Sequence, residues 1–471
     1  MKEKYVYICS GIVLIIASFF SVGYHQLDEH YQLLEFAGLK LNITPANDLP
    51  WEYHAQMRPA IQPAIAVLIT DFFHHAGISN PFTIVFFMRL LSAALAFLGM
   101  YLIYQTYIKN ITDYTLKKWF LFLSFFLWFM IYNNVRFSSE NWSGTIFLIA
   151  FSLLNNKSLK PISYLYIGML FGLSFIFRYQ CGFLIGGLIL WQIFFAKNKT
   201  NTVLLILGIL LSTGIGVLID RWFYETWTFT SWHYLDQNIL QNKVSEFGTD
   251  PWWYYAQDVF LQAAPPFSIL YIASFLIVFI FMRKDILTWT VFPYLFIHCI
   301  IGHKELRFLF PIIGFVPIVI IKSIEIIQMK WNKKFVDYRA CRIVVKLFLV
   351  VNSVFLITIA AKPANNIIPL FHTIYSEYNE PVKLYYVDEL LYIHIHYYKR
   401  DNMEIVKLKS IDEIPHDHSA KQLFITNNEA ILNEIKGTKT LKYAAYPAWI
   451  MRFNFNHWVE RSRGYSLYEL N

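Results

Sequence analysis

The sequence predicts an all-α polytopic membrane protein of about eleven transmembrane helices, followed by a small α/β domain outside the membrane. Three observations predict it. The 471 residues are 56% hydrophobic and 19% aromatic but only 15% charged, where a soluble domain carries about a quarter charged residues. Apolar runs of spanning length recur between short basic connections. Beyond residue 361 the pattern changes to short β-prone runs. The division expected is therefore 1–361 for the membrane part and 362–471 for the tail domain.

The apolar runs are 5–23, 82–107, 118–133, 142–155, 161–177, 181–196, 202–219, 265–282, 286–302, 308–326 and 343–361. Alternate connections carry Lys2 and Lys4, Lys109 with Lys117 and Lys118, Lys157 and Lys160, Lys197 and Lys199, Arg283 and Lys284, and the basic stretch 330–346. Short basic loops stay in the cytoplasm, so the N-terminus is inside and the tail outside. The first run has no convincing small-x-small cleavage site after it, and many spans follow, so it reads as a retained helix. The net charge of +8 is then a topology signal and not a nucleic-acid footprint.

The remaining connections are extracytoplasmic: 24–81, the turn RFSSEN at 136–141, a turn near Arg178, the loop 220–264, and 303–307. Amphipathic helices are expected at 28–39 and 61–75, lying along the interface. In the tail, VKLYYVDE (382–389), YIHIHYY (392–398), MEIVKLK (403–409) and KQLFITN (421–427) read as strands and EAILNEIK (429–436) as a helix. The four cysteines are scattered, with no disulfide framework or metal spacing. No Walker A or G-x-G-x-x-G is present, which removes a nucleotide-driven pump. No metal site and no cofactor are expected.

The chemistry concentrates in two external stretches. HKELRFLFP (303–311) places His303, Lys304, Glu305 and Arg307 between apolar segments. A charge at bilayer depth costs several kcal/mol, at least about 2.5–3.5, and Arg and Lys suit a phosphate. Snorkelling charges at two helix ends, with Pro311 in an early turn, would also explain them. The external position runs against the charge bias and weakens that explanation. LDEHYQLLE (27–35) offers Asp28 and Glu29. A partly desolvated carboxylate there is a general base; the plainer reading is that Asp28 caps a helix. The two stretches are expected to face one pocket. The loop 220–264 (DRWFYETWTFTSWHYLDQN, then FGTDPWWYY) suits an interfacial aromatic belt or the stacking of rings on a sugar. Asp220 and Arg221 can pair, and Arg136, Glu140 and Arg178 can serve as structural ion-pair partners.

In the order LDEHYQLLE, WEYHAQMRPAIQP (51–63), VRFSSE (135–140), DRWFYETWTFTSWHYLDQN (220–238), FGTDPWWYY (247–255) and HKELRFLFP, these motifs resemble glycosyltransferase family 22. Its members are dolichyl-phosphate-mannose-dependent α-mannosyltransferases, and the order is similar to the GPI third-mannose branch. The resemblance implies the C-type glycosyltransferase (GT-C) fold with a lumenal active site. It also implies Asp28 in the catalytic acidic pair and Lys304, Glu305 and Arg307 in the donor-phosphate region. Three departures bear on the acceptor: Leu27 stands where a Pro is usual, WEYHAQMRP replaces WEW-x-x-x-x-R-S, and Phe177-Arg178-Tyr179 replaces Arg-Pro-Thr.

The expected reaction is an inverting transfer of mannose from a polyprenyl (dolichyl) phosphate mannose to a mannose-containing glycan or glycolipid, forming an α-mannoside, with α-1,2 as the expected linkage. Asp28 and Glu29 are the catalytic candidates. His303, Lys304, Glu305 and Arg307 are the phosphate candidates, and Trp51, Glu52, Arg58, His233 and Trp252 the acceptor or sugar candidates. The partners are the lipid donor, the glycan acceptor and the bilayer, with no nucleic acid. The host membrane is endoplasmic reticulum in a eukaryote or plasma membrane in a bacterium. The rivals are transfer of another sugar from the same kind of carrier and a lipid-linked sugar flippase. A flippase would place charges and broken helices at mid-membrane, in repeated halves.

Overall fold

The computed structural model describes residues 3–155, 159–196, 198–332, 338–387, 393–415, 420–435, 437–453, 458, 462 and 464–470. Lys2, Lys157, Lys197, Lys333 and Lys334 of the basic connections lie outside the described residues, as do 388–389, 392 and 436 of the tail runs. The chain divides into two compact units.

The first unit comprises residues 1–20, 51–65 and 87–362, and its described residues form helices joined by turns and loops. Among the described residues of the chain, five helices are long and apolar enough to cross a membrane: Glu3–Phe20, Pro81–Ile108, Lys199–Tyr224, Leu306–Trp331 and Arg339–Ala360. Tyr114–Phe126 and Trp128–Asn134 add a sixth if the pair, bent by 42°, is one span. Pro161–Phe177, Tyr179–Phe195, Ser268–Phe281 and Ile286–Ile300 are apolar but shorter, and Ser139–Leu154 has 16 residues. Each predicted run thus falls on helix, while fewer than eleven helices have spanning length.

Close helix packing comes from small residues. A Cβ on Gly168 would stand 2.2 Å from the Leu205 carbonyl oxygen, and one on Gly208 would stand 2.1 Å from that of Leu165. Pro161–Phe177 and Lys199–Tyr224 therefore meet backbone to backbone, the arrangement that small residues permit in membrane helices. The core of the unit is aromatic-rich. Phe147, Phe151, Phe171 and Phe315 are fully buried, and Phe151 meets Phe315 edge-on at 5.1 Å.

The second unit comprises residues 21–50, 66–86 and 363–471, so it draws on the first external loop as well as the tail. Five strands, β1 (Val382–Tyr386), β2 (Met403–Lys407), β3 (Lys421–Thr426), β4 (Lys439–Ala444) and β5 (Ser466–Leu470), form one sheet in the order β2-β1-β3-β5-β4. β1 runs parallel to β2 and β3, and β5 antiparallel to β3 and β4. Tyr385, Leu408, Phe424 and Ile435 form a buried cluster of this sheet region. Glu469 on β5 accepts from Lys421 (3.1 Å), Lys442 (2.9 Å) and the Tyr378 hydroxyl (3.0 Å). Burial alone would raise its pKa; these three partners outweigh that and hold it down at about 2.

Two sequence expectations for this unit change. The described part of YIHIHYY, 393–398, is not a strand. Its backbone is used elsewhere: the Tyr397 N–H donates to Glu35 Oε1 at 3.1 Å, and the Tyr398 ring stacks on His30 at 5.6 Å. The helix expected at 28–39 is two pieces, Asp28–Tyr31 and Leu34–Lys40.

Candidate active site

The stretch 303–315 leaves the Ile286–Ile300 helix and enters a run of 3₁₀ turns, Leu306–Phe315. That run rests on the Ser139–Leu154 helix at Gly144, where a Cβ would stand 2.5 Å from Pro311 Cα. The close approach brings Glu140, one turn earlier, to Arg307. Arg307 donates to both oxygens of Glu305, at 2.7 and 2.8 Å, in the fork geometry that suits a carboxylate or phosphate. Its third nitrogen lies 3.7 Å from Glu140 Oε1, which Arg178 also meets at 2.9 Å. Arg178 further donates to Ser139 Oγ at 3.0 Å. Both guanidinium groups lie 5.4 Å from the Phe308 ring. His303 closes the group, with Nε2 3.1 Å from Glu305 and Nδ1 3.1 Å from the Gly248 carbonyl oxygen.

Lys304 behaves differently from its neighbours. It is 4% exposed, and its ammonium donates to the carbonyls of Ile301 (2.6 Å), Asp250 (2.8 Å) and Gly302 (3.2 Å). In this arrangement it ties the 303–307 stretch to FGTDPWWYY.

Of the acceptor candidates in the same unit, Glu52 and Arg58 meet. Trp51–His54 is a short helix. Arg58 lies 3.4 Å from Glu52 and 5.7 Å from the Tyr234 ring centroid. The Arg58 carbonyl accepts from Tyr224 Oη at 2.8 Å. Lys243 sits 5.0 Å over the Trp51 ring. His233 reaches Thr228 at 3.5 Å, and Trp252 is 72% exposed. Asp220 and Arg221 do not pair as the sequence suggested. Asp220 accepts from Ala60 and Thr230, whereas Arg221 lies over Trp227 at 5.9 Å. Neighbouring residues of a helix point to different sides, and these two follow that rule.

The acidic pair belongs to the second unit. Asp28 opens the helix Asp28–Tyr31, with Leu27 at the cap position, so its side chain is not the helix cap. The turn is tied down through buried His30 and Glu35, 2.6 Å apart, with Thr44 donating to Glu35 at 2.5 Å. Burial alone would raise the Glu35 pKa; His30, Thr44 and the Tyr397 N–H outweigh it and hold it below the usual carboxylate range.

The structure therefore brings together His303, Glu305 and Arg307, and separately Glu52 with Arg58. It adds Glu140 and Arg178 to the first group. The sequence offered them as ion-pair partners but gave no sign that Arg307 was the third member. Among the described residues, no group of three His, Cys, Asp or Glu could hold a metal ion.

A model of the Alg9-like mannosyltransferase family matches residues 5–398. The chain is similar to GPI alpha-1,2-mannosyltransferase 3 of Homo sapiens, with 27% identity over 304 residues, 61% of this chain and 51% of that protein. It is similar to GPI mannosyltransferase 3 of Candida albicans, with 29% identity over 299 residues, 63% of this chain and 58% of that protein. These relatives agree with the third-mannose branch that the motif order indicated. The chain spans about half the length of the curated relatives it matches. In three dimensions it resembles the crystal structure of ArnT from Cupriavidus metallidurans bound to undecaprenyl phosphate. The TM-score is 0.56 at 9% identity, over 100% of this chain and 98% of that one. At that identity the likeness is one of fold.

Proposed function

The chain belongs to the Alg9-like mannosyltransferase family, and from that premise we propose that it moves mannose from a polyprenyl (dolichyl) phosphate mannose to a mannose-containing glycan or glycolipid. The product is an α-mannoside, α-1,2 in linkage as in the relatives' name. The observation that carries the reading is the convergence of Arg178 and Arg307 on Glu140, with Glu305 and His303 completing a cluster of charges at the ends of apolar helices.

In this mechanism Arg307 presents its fork to the donor phosphate, and Arg178 adds a second cation. Both stabilise the charge that grows on the phosphate oxygen as it leaves. Glu305 and Glu140 keep the guanidinium groups in place and share them with the donor. Lys304 holds the loop that carries Glu305 and Arg307. Asp28 takes the proton from an acceptor hydroxyl. The oxygen forms a bond to the anomeric carbon as the bond from that carbon to the phosphate oxygen breaks, and polyprenyl phosphate departs. One displacement turns the β-linked donor into an α-mannoside. Such a leaving group needs no nucleotide, and the arginines take the part a metal would play. The protein is an integral membrane protein, and in this reading its N-terminus is cytoplasmic. Residues 1–361 then carry the membrane part, while the acidic loop, 303–307 and the tail 362–471 are extracytoplasmic.

The test is mannose transfer from synthetic polyprenyl phosphate mannose to α-mannosides, in membranes carrying the wild type or Asp28→Asn. Activity that vanishes in the variant, at normal expression and with donor binding retained, supports Asp28 as the base. Equal activity in both removes Asp28 and moves the role to Glu29.

A further inference from the structure

Asp220 is 4% exposed and lies in the last turn of the Lys199–Tyr224 helix. A buried carboxylate there is costly unless hydrogen bonds satisfy it. Both oxygens are satisfied, and by different segments. Oδ1 accepts from the Ala60 N–H at 2.8 Å, at the end of the stretch that carries Trp51, Glu52 and Arg58. Oδ2 accepts from the Thr230 hydroxyl at 2.5 Å. Because Thr230 spends its one proton on Asp220, its oxygen accepts from Tyr179 Oη, also at 2.5 Å. Beside Tyr179, Gln180 Nε2 donates to Tyr234 Oη at 2.6 Å, and Arg58 lies over that tyrosine's ring.

Residues 178–180 are the hinge of this arrangement. The Pro161–Phe177 helix ends and Arg178 is extended, with φ −153° and ψ 114°. Its side chain turns to Glu140, while the next two side chains turn to Thr230 and Tyr234. Three consecutive residues thus join the cluster of Glu140 and Arg307 to Thr230 and Tyr234 within one unit. This is also where the sequence departs from the Arg-Pro-Thr usual in its family.

We propose that Asp220 is a positioning residue for the acceptor sugar: with Thr230 it fixes the 51–60 stretch, so that Glu52 and Arg58 meet the hydroxyls of an incoming α-mannoside. Tyr179 sets that stretch relative to Arg178. The proposal rests on the mannosyltransferase reading, and its test separates the two. A Glu–Arg pair offers acceptor and donor groups to neighbouring hydroxyls, and the Tyr234 ring beside it offers a face for stacking. The pinning carboxylate accepts from Ala60 and Thr230, so loss of the pin shifts the pair without deleting it.

The experiment uses the full chain in lipid nanodiscs, with a fluorescent α-mannobioside as acceptor probe and polyprenyl phosphate as donor-side probe. The variants are Thr230→Val, which keeps the shape and loses the hydroxyl, Asp220→Asn, and Thr230→Ser as the conservative rescue. The expected result for Thr230→Val and Asp220→Asn is an acceptor Kd and KM raised about tenfold. Polyprenyl phosphate affinity and kcat at saturating acceptor stay within about twofold, and Thr230→Ser behaves as wild type. A kcat that falls with acceptor KM unchanged, or an equal loss of both probes, overturns the positioning role and leaves the mannosyltransferase reading standing. A wild type that binds polyprenyl phosphate but no α-mannoside overturns the mannosyltransferase reading, and this proposal with it.

Discussion

Two buried carboxylates in this molecule are each held by two cations, and the two arrangements differ. Glu469, in the tail sheet, has Lys421 on one oxygen and Lys442 and Tyr378 on the other. The arrangement is closed, it lies on strand β5, and it clips neighbouring strands together. Glu140, in the helical unit, has Arg178 and Arg307 on the same oxygen, and Arg307 is shared with Glu305. Lysines suit a clip because they are compact point charges that follow a partner. Arginines suit a binding site because the planar fork presents itself to a carboxylate or a phosphate alike. Charges among apolar helices are expensive and mark function by default, whereas half-exposed pairs on a sheet contribute stability of roughly 1 kcal/mol or less.

The comparison predicts opposite phenotypes. The largest effect is expected from Arg307→Gln. Mannose transfer in membranes should fall by about 10²–10³-fold, as when one charge-stabilising donor is lost, with expression and helical content unchanged. Loss of folding instead of rate would make Glu140 a clip like Glu469. Next, Lys304→Met strips a donor from three carbonyls and should cost about 1–3 kcal/mol of stability. Thermal melting should drop, while polyprenyl phosphate affinity changes little; a selective loss of that affinity would return Lys304 to the phosphate.

Smaller still is Glu469→Gln, which should lower the melting temperature of the tail by an amount corresponding to roughly 1 kcal/mol and leave acceptor and donor KM untouched. The smallest expected effect is on pH dependence. Glu469 has a folded pKa depressed to about 2, so the clip's contribution is fully present above the ordinary carboxylate range. It is lost as pH falls toward about 2. Acid melting of the tail should therefore steepen below the ordinary carboxylate range in the wild type and flatten in Glu469→Gln.

The helices were legible because apolar length and basic connections write them directly. Ile61–His75 falls where its amphipathic pattern put it. The 303–311 cluster was legible as a chemical anomaly. Its partners were not, because Arg178 and Glu140 reach Arg307 through packing at Gly144 and Pro311, and no sequence spacing encodes that approach. Asp220 and Arg221 misled because adjacency suggests pairing, while a helix turns neighbours apart. YIHIHYY has the alternation of a strand, but Glu35 and His30, more than 350 positions earlier, capture its backbone and rings. Conversely β4 and β5 were missed: KTLKYA and SLYEL are short and their partners are each other and β3.

The most direct test of the central claim is equilibrium binding of polyprenyl phosphate mannose to the wild type, Arg307→Gln and Glu469→Gln in nanodiscs. The predicted result is at least a tenfold weaker Kd for Arg307→Gln, the loss of a charge-assisted contact worth roughly 1.5–3 kcal/mol, with Glu469→Gln equal to wild type. Equal affinity in all three would mean that the Arg178–Glu140–Arg307 group is a structural clip, and would contradict the account.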